Sequence, residues 1–193
     1  MTSSHITKLK INTVIGKTSL KYEGDILKRV LELPNFVLNK RAKVIFKKKK
    51  GITAVINKSG VIMIYGGKSQ NDQMDILNSI LDELNSYGIV VESTNIEICS
   101  IGISGRLKNI NTLNLENAVE VLRAITKVEY EPEQFPAIII KLKTPKCCVL
   151  LFANGSFVVQ GIKTIKDGEK AINKLMKCLM NSKGVAIKGD ISL

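Results

Sequence analysis

An internal repeat constrains the fold of this chain more than any other feature of its sequence. The segment KKGITAVINKSGVIMIYGGKS (Lys49–Ser69) aligns with TPKCCVLLFANGSFVVQGIKT (Thr144–Thr164), and each residue lies 95 positions from its counterpart. Gly60 and Gly155 occupy the turn of a predicted β-hairpin, where a positive φ angle favours glycine. Because repeated segments of this size fold as repeated supersecondary units, the sequence predicts two structurally similar halves.

The segments around each hairpin recur as well. INTVIGKTSL and EICSIGISGR are predicted to be the first strand of each half. Apolar residues at helical spacing predict four helices, over Gly24–Leu33, Gln70–Tyr87, Leu115–Thr126 and Asp167–Asn181. Met74 belongs to the predicted apolar stripe of the second helix, and Asn71 or Asp72 is its predicted N-cap.

These elements predict an α+β fold with two pseudo-symmetric repeats, residues 1–90 and 91–193. Each half would contain a strand, a helix, three or more strands and a long helix. Strands followed by amphipathic helices form layered α+β structures. We therefore expect the halves to share one antiparallel sheet, with all four helices on one of its faces.

The strands are apolar on both faces, which is unusual for a sheet with one solvated face. Val149–Phe152 is an unbroken apolar run before the turn, Phe157–Val159 is another after it, and Ile138–Ile140 repeats the pattern. If helices cover only one face, an apolar surface remains, and such surfaces generally bind a partner. The alternative is a second layer contributed by another subunit.

Charge and composition narrow the classes of function. The net charge is +12 and the pI about 9.6, which favours a polyanionic partner such as nucleic acid over a merely soluble basic protein. No apolar run suggests a membrane span or a signal peptide, so an intracellular protein that does not bind membranes is expected. The four cysteines lack metal-ligand spacing and are predicted to be small buried side chains in a reducing compartment.

No catalytic or cofactor site is predicted. His5 is the single histidine, and no nucleophile–base pair stands out. The YGGKS segment lacks the first glycine of a phosphate-binding loop. We therefore expect a protein that is not an enzyme and that binds neither a cofactor nor a metal.

The segment YEPEQFPAIIIKLKTPKCCVLLFANGSFVVQGIK (Tyr130–Lys163) closely resembles the second repeat of the TATA-binding protein family, without gaps over 34 residues. The first half resembles the first repeat through AVINKSGVIMIYGGKS. This resemblance implies a saddle-shaped, curved antiparallel sheet whose concave face lies in the DNA minor groove, with helices on the convex face. Minor-groove proteins of this kind insert apolar wedges between base pairs and bend the duplex.

The resemblance also implies which residues contact DNA. Phe135 and Phe152 match the two wedge phenylalanines of the second repeat, and Lys141 takes the place of a phosphate-contacting arginine. Asn12 matches one of two central asparagines. The other positions implied to contact the groove are Thr53, Val55, Asn57, Met63, Tyr65, Leu150, Val158 and Gln160.

This chain departs from the family pattern in its first half. Asn57 stands where one wedge phenylalanine is expected, and Lys40 or Asn39 stands where the other is expected. The second central asparagine is replaced by Ile98 or Ser100. We therefore expect asymmetric DNA binding. Phe135 and Phe152 would kink one end of the site, while the lysine-rich residues 40–50 would bind phosphates at the other end.

The resemblance implies partners as well as DNA. Glu131 and Glu133 match acidic residues of the loop that binds a transcription factor B-like protein, so a general transcription initiation factor that binds double-stranded A·T-rich DNA and serves the RNA polymerase machinery is expected. The sequence also leaves open the alternative that the protein forms a homodimer in the absence of DNA. The compartment would be the nucleus, or the cytoplasm or virus factory for a prokaryotic or viral protein.

Two other classes of function remain open. The first is a protein-interaction scaffold, or a non-specific DNA binder, that has lost sequence-specific bending. The second is a nucleic-acid enzyme that uses this domain as a binding platform, for which no catalytic segment is recognised.

Overall fold

The computed structural model describes residues 6–22, 25–38, 44–49, 51–108, 110, 112–180 and 187–188. The backbone forms two compact units. One is Asn12–Ser100, called here the N-terminal unit. The other combines Met1–Ile11 with Ile101–Leu193 and is called the C-terminal unit. Each unit contains one of the two repeated hairpins.

The first eight elements lie at or before Ser93. They are β1 (Lys10–Lys21), α1 (Ile26–Val30), β2 (Phe36–Leu38), β3 (Val44–Lys49), β4 (Ile52–Ile56), β5 (Val61–Gly66), α2 (Gln70–Ser86) and β6 (Glu92–Ser93). In the N-terminal unit the strand order is β2-β3-β4-β5-β1, every pairing is antiparallel, and β6 pairs with the end of β1.

The remaining elements follow the same plan. They are β7 (Glu97–Arg106), β8 (Thr112–Leu113), α3 (Leu115–Arg123), β9 (Lys127–Glu129), β10 (Ala137–Lys143), β11 (Lys146–Phe152), β12 (Ser156–Ile162), α4 (Ile165–Met180) and β13 (Ile187–Lys188). In the C-terminal unit the strand order is β7-β12-β11-β10-β9, again antiparallel. β13 and β8 form a separate two-stranded sheet.

Each unit buries one face of its sheet beneath helices. In the C-terminal unit, Val149, Leu151 and Phe157 point to the buried face and belong to one apolar cluster with Ile172 and Leu175 of α4. In the N-terminal unit, buried residues of β4 and β5 cluster in the same way with α2. Because side chains alternate along a strand, the intervening residues lie on the opposite face of each sheet.

The predicted hairpins and first strands are confirmed. β1 and β7 contain the two predicted first strands, and β4–β5 and β11–β12 are the repeated hairpins. Gly60 and Gly155 have φ angles of 76° and 78°, as expected for the turns. A β-carbon on Gly60 would lie 2.6 Å from the carbonyl oxygen of Leu20, so the turn also requires glycine for space.

The predicted helices exist, but some of their details are wrong. α1 is a helix of only five residues, shorter than the predicted Gly24–Leu33, and α4 begins at Ile165, two residues before the predicted start. The N-cap of α2 is Ser69, not Asn71 or Asp72. The Ser69 hydroxyl accepts from the Asp72 amide, and the Asp72 carboxylate accepts from the Ser69 amide, which together form a capping box.

The buried stripe of α2 also differs from the predicted one. Met74 is 39% exposed, whereas Gln73 is fully buried beside the apolar residues of the stripe. Its Nε2 donates to the carbonyl oxygen of Gly66 at 2.5 Å and to that of Val14 at 3.3 Å. The glutamine therefore joins β1 and β5 from the helix side, which the apolar periodicity alone cannot reveal.

The prediction of four buried cysteines is correct only for Cys147. Cys99, Cys148 and Cys178 are half-buried, and all four are free thiols. Cys147 and Cys148 alternate between the two faces of β11, as predicted for adjacent strand residues. In the described part of the chain, no helix combines the length and apolarity needed to cross a bilayer.

Candidate nucleic-acid interface

The face of the C-terminal sheet opposite the helices carries a row of apolar side chains across its central strands. Ile139 pairs with Leu150, and Leu150 pairs with Val158. All three are half-buried, although their neighbours along the strands are fully buried on the other face. We call these three residues the apolar row. Among the described residues of the C-terminal unit, α3 and α4 pack against the opposite face of the sheet and not against this row.

Two phenylalanines lie beside the apolar row. Phe152 follows Leu150 on the same face of β11 and is half-buried. Phe135, in the loop before β10, is 38% exposed. Their ring centroids are 6.0 Å apart and their planes are inclined by 64°, an edge-to-face contact. The structure therefore brings the two predicted wedge residues together as one aromatic pair, in which Phe135 is exposed and Phe152 half-buried.

A polar row runs alongside the apolar row. Lys127, Lys141, Cys148 and Gln160 follow one another in register across β9, β10, β11 and β12. Lys141 and Gln160, both predicted to contact DNA, are exposed on this face. The two predicted residues are thus separated only by Cys148, which sequence reasoning did not assign to the site.

Lys141 is not a free cation in this structure. Its Nζ donates to both carboxylate oxygens of Glu129, at 2.8 and 3.0 Å. Lys127 Nζ lies 3.2 Å from Glu129 Oε1, which is the oxygen that accepts from Lys141 at 2.8 Å. Hydrogen bonding to Lys141, and secondly to Lys127, lowers the pKa of Glu129, and the bond to Glu129 raises the pKa of Lys141. Both groups are therefore held in their charged forms.

The corresponding face of the sheet in the N-terminal unit is lined by different residues. Val55 pairs with Met63, and Met63 pairs with Lys17. In the next row, Thr53 pairs with Tyr65, and Tyr65 pairs with Ile15. The four predicted residues Thr53, Val55, Met63 and Tyr65 are thus brought together, and Tyr65 is 41% exposed.

Asn57 has a local structural role in the hairpin turn. Its Oδ1 accepts from the Ser59 amide at 3.1 Å, the Ser59 hydroxyl at 2.7 Å and the Val61 amide at 3.1 Å. A side chain held this way closes the β4–β5 turn, whereas the half-buried ring of Phe152 at the corresponding position contacts Phe135. Asn12 is exposed on β1.

The acidic loop is a compact turn. The amides of Gln134 and Phe135 both donate to the carbonyl oxygen of Glu131, each at 2.9 Å. Glu131 and Glu133 are exposed. The loop therefore presents both predicted partner-binding carboxylates to solvent and holds Phe135 next to the sheet.

Some predicted residues cannot be located, and others were missed. Asn39, Lys40, Lys50 and His5 lie outside the described residues. The structure adds Ile139, Lys17 and Glu129 to the exposed faces. Alternation along β10 could have revealed Ile139, since it lies two residues before Lys141. Glu129 could not be found this way, because its role depends on how β9 pairs with β10.

Comparison of this chain with known proteins identifies its family. A family profile described as "Transcription factor TFIID (or TATA-binding protein, TBP)" matches residues 95–182. The chain is 30% identical over 172 residues to the TATA-box-binding protein of Archaeoglobus fulgidus, covering 87% of this chain and 92% of the relative. The chain belongs to the TATA-binding protein family. A second family member, TATA-box-binding protein 2 of Haloferax volcanii, is 32% identical over 173 residues, covering 88% of this chain and 91% of the relative.

A solved structure of the family supports the fold. The chain matches Methanococcus jannaschii TBP with a TM-score of 0.76 and 24% identity, covering 91% of this chain and all of the other. This likeness confirms the predicted α+β fold class of the TATA-binding protein type. The resemblance found in the sequence, strongest in the second half, is confirmed by the family profile, which matches that same half.

Proposed function

We propose that this protein is a transcription initiation factor that binds A·T-rich duplex DNA through the minor groove. The observation that carries this proposal is the apolar row of Ile139, Leu150 and Val158, which lies on the sheet face opposite the described helices and is bordered by the Phe135–Phe152 pair. Membership of a family whose relatives are named TATA-box-binding proteins supports it. The net charge of +12 supports a polyanionic partner.

The chemistry of the minor groove fits such a surface. Over A·T pairs the groove floor offers only acceptors and lacks the guanine amino group. Val and Leu side chains therefore leave few hydrogen-bond donors unsatisfied when they cover it. Exposed Gln160 of the C-terminal unit and exposed Tyr65 of the N-terminal unit each carry a hydrogen-bond donor that such acceptors can bind.

The aromatic pair supports a kink at one end of the site. A phenylalanine ring that enters a base step replaces part of the lost stacking, at a cost of a few kcal/mol for each opened step. Exposed Phe135 and half-buried Phe152 are adjacent, whereas Asn57, which matches Phe152 in the first repeat, is held in its turn. We infer unequal bending at the two ends of the bound DNA.

The acidic loop supports a protein partner. Glu131 and Glu133 are exposed on a hydrogen-bonded turn next to the aromatic pair. We infer that they contact a basic surface of a transcription factor B-like protein, which would link the DNA complex to RNA polymerase. Replacing both residues with lysine should abolish the ternary complex while DNA binding by the protein alone is retained.

Duplex titration tests the proposal. The protein is titrated with A·T-rich and G·C-rich duplexes over a range of salt, with a fluorescent base analogue at each end of the site. We expect preference for the A·T duplex, a log–log salt slope of about −0.9 for each neutralised phosphate, and unstacking mainly at one end.

Each alternative gives a different result. Salt-dependent binding without A·T preference or unstacking would indicate a non-specific basic DNA binder. Absence of DNA binding, with association of the protein in solution, would indicate that the apolar row closes a homodimer or binds another protein. Equal unstacking at both ends would contradict the proposed asymmetry of the kink but not DNA binding through the minor groove.

A further inference from the structure

Glu129 lies where the proposed interface should be most attractive to phosphate. On β9 it is directly opposite Ile139, at the end of the apolar row. Its carboxylate contacts both Lys141 and Lys127, at 2.8 and 3.2 Å. A negative charge therefore occupies the edge of a surface whose proposed ligand is a polyanion.

The two lysines form an anion-binding arrangement by themselves. Lys127 and Lys141 are directly opposite each other in the β9–β10 pairing and share the exposed face. Like charges placed directly opposite on neighbouring strands repel each other. An anion between the two ammonium groups relieves this repulsion, and the Glu129 carboxylate has that position here.

The backbone holds this arrangement in register. The Thr126 hydroxyl donates to the carbonyl oxygen of Lys141 at 2.6 Å, which anchors the start of β9 to β10. The same two lysines also line a groove of about 500 Å³ together with Lys143 and Lys174. The lysine side chains therefore have space beside them into which they can turn.

We propose that the Glu129 carboxylate occupies, in the free protein, the place of a DNA phosphate between Lys141 and Lys127, and so competes with DNA at this edge. This inference rests on the proposed function. Binding of DNA then requires the two ammonium groups to exchange the carboxylate for a phosphate. Glu129 lowers both the affinity for DNA and the number of phosphates that the protein neutralises.

The first test is Glu129→Gln, with Glu120→Gln as a control that makes the same charge change on the exposed surface of α3. Exposed ion pairs contribute little each, so we expect binding of an A·T duplex about 3- to 10-fold tighter at low salt. The log–log salt slope should become steeper by about 0.9 for each lysine released. Glu120→Gln should change neither quantity beyond the uniform effect of one added charge.

A double-variant cycle shows whether the effect passes through Lys141. In a Lys141→Gln background, Glu129→Gln should strengthen binding by a smaller factor than in the wild type. Binding that is unchanged or weakened by Glu129→Gln would overturn the inference, because the carboxylate would then position Lys141 for DNA.

A polyphosphate that carries no bases allows this inference to be tested separately from the proposed function. Tripolyphosphate is titrated against the wild type, Glu129→Gln and Glu120→Gln while the Lys141 side-chain signals are followed by NMR. Tighter binding by Glu129→Gln alone supports the competition even if the protein shows no A·T preference. Equal binding by all three proteins overturns it, even if A·T-specific binding is observed.

Discussion

The ring of Phe135 meets the ring of Phe152 edge to face, with centroids 6.0 Å apart. The two residues come from different segments, the loop before β10 and the last residue of β11. The register explains the meeting, because Phe152 pairs with Ala137, two residues after Phe135. The contact supports exposed Phe135 against half-buried Phe152, and neither ring belongs to the buried core.

Loss of either ring of this pair should affect DNA bending more than folding. We expect Phe135→Ala and Phe152→Ala each to weaken A·T duplex binding about tenfold, equivalent to ~1.4 kcal/mol, and to reduce unstacking at one end of the site. Phe157→Ala should instead destabilise the fold by about 3–5 kcal/mol, since that side chain is only 1% exposed. Chemical denaturation and base-analogue fluorescence distinguish the two effects. A large loss of stability in Phe152→Ala would argue that the pair is structural.

Cys148 provides a chemical footprint of the proposed interface. It lies on the exposed face of β11, opposite Gln160, whereas half-buried Cys178 lies on α4. Bound A·T duplex should slow maleimide labelling of Cys148 but leave Cys178 unchanged, as read by mass spectrometry of the labelled peptides. Burial raises the pKa of Cys147 to about 11, so this neighbour should label most slowly with or without DNA. Protection of Cys178 alone would place the DNA on the helix side.

The closing glycines of the two hairpins should differ in their tolerance of alanine. Gly66 and Gly161 have φ angles of 101° and 85°, so either substitution strains the backbone. At Gly161 the nearest atom to an added β-carbon is Cys147 Cα at 3.8 Å, whereas at Gly66 the β-carbon overlaps the carbonyl oxygen of Gly51. We expect a loss of roughly 1–2 kcal/mol for Gly161→Ala and about 3 kcal/mol or more for Gly66→Ala. Urea unfolding measures both, and equal losses would contradict the steric argument.

The Glu129 ion pairs should leave a pH signature. Lys141 and Lys127 lower the pKa of this carboxyl group in the folded protein. Unfolding separates the carboxyl group from both lysines, so its pKa returns to the ordinary value. The pairs therefore stabilise the fold above the unfolded pKa, and this contribution is lost as the pH falls through the lowered folded pKa. We expect a carbon-detected NMR titration of Glu129 to have its midpoint below the ordinary glutamate value, and Lys141→Met to raise it. An unchanged midpoint in Lys141→Met would show that the pair does not persist in solution.

The internal repeat and its apolar segments were sufficient to predict much of the fold. They predicted the hairpins, the turn glycines and the first strands, because these features depend on neighbouring residues and on local backbone preferences. Alternation did not assign Leu150 and Val158 to a face, because both lie in unbroken apolar runs; the family resemblance implied that they contact the groove. The family resemblance, rather than any spacing, supplied the roles of Phe135 and Phe152.

Only the tertiary structure decided which distant groups meet. The hydrogen bonds of buried Gln73 to Val14 and Gly66, and those of Lys141 to Glu129, were not predicted. Each depends on the register between segments or on the direction in which a helix enters the core. Such pairings result from the packing of the whole unit, because a single strand or helix has no local preference that specifies its neighbour.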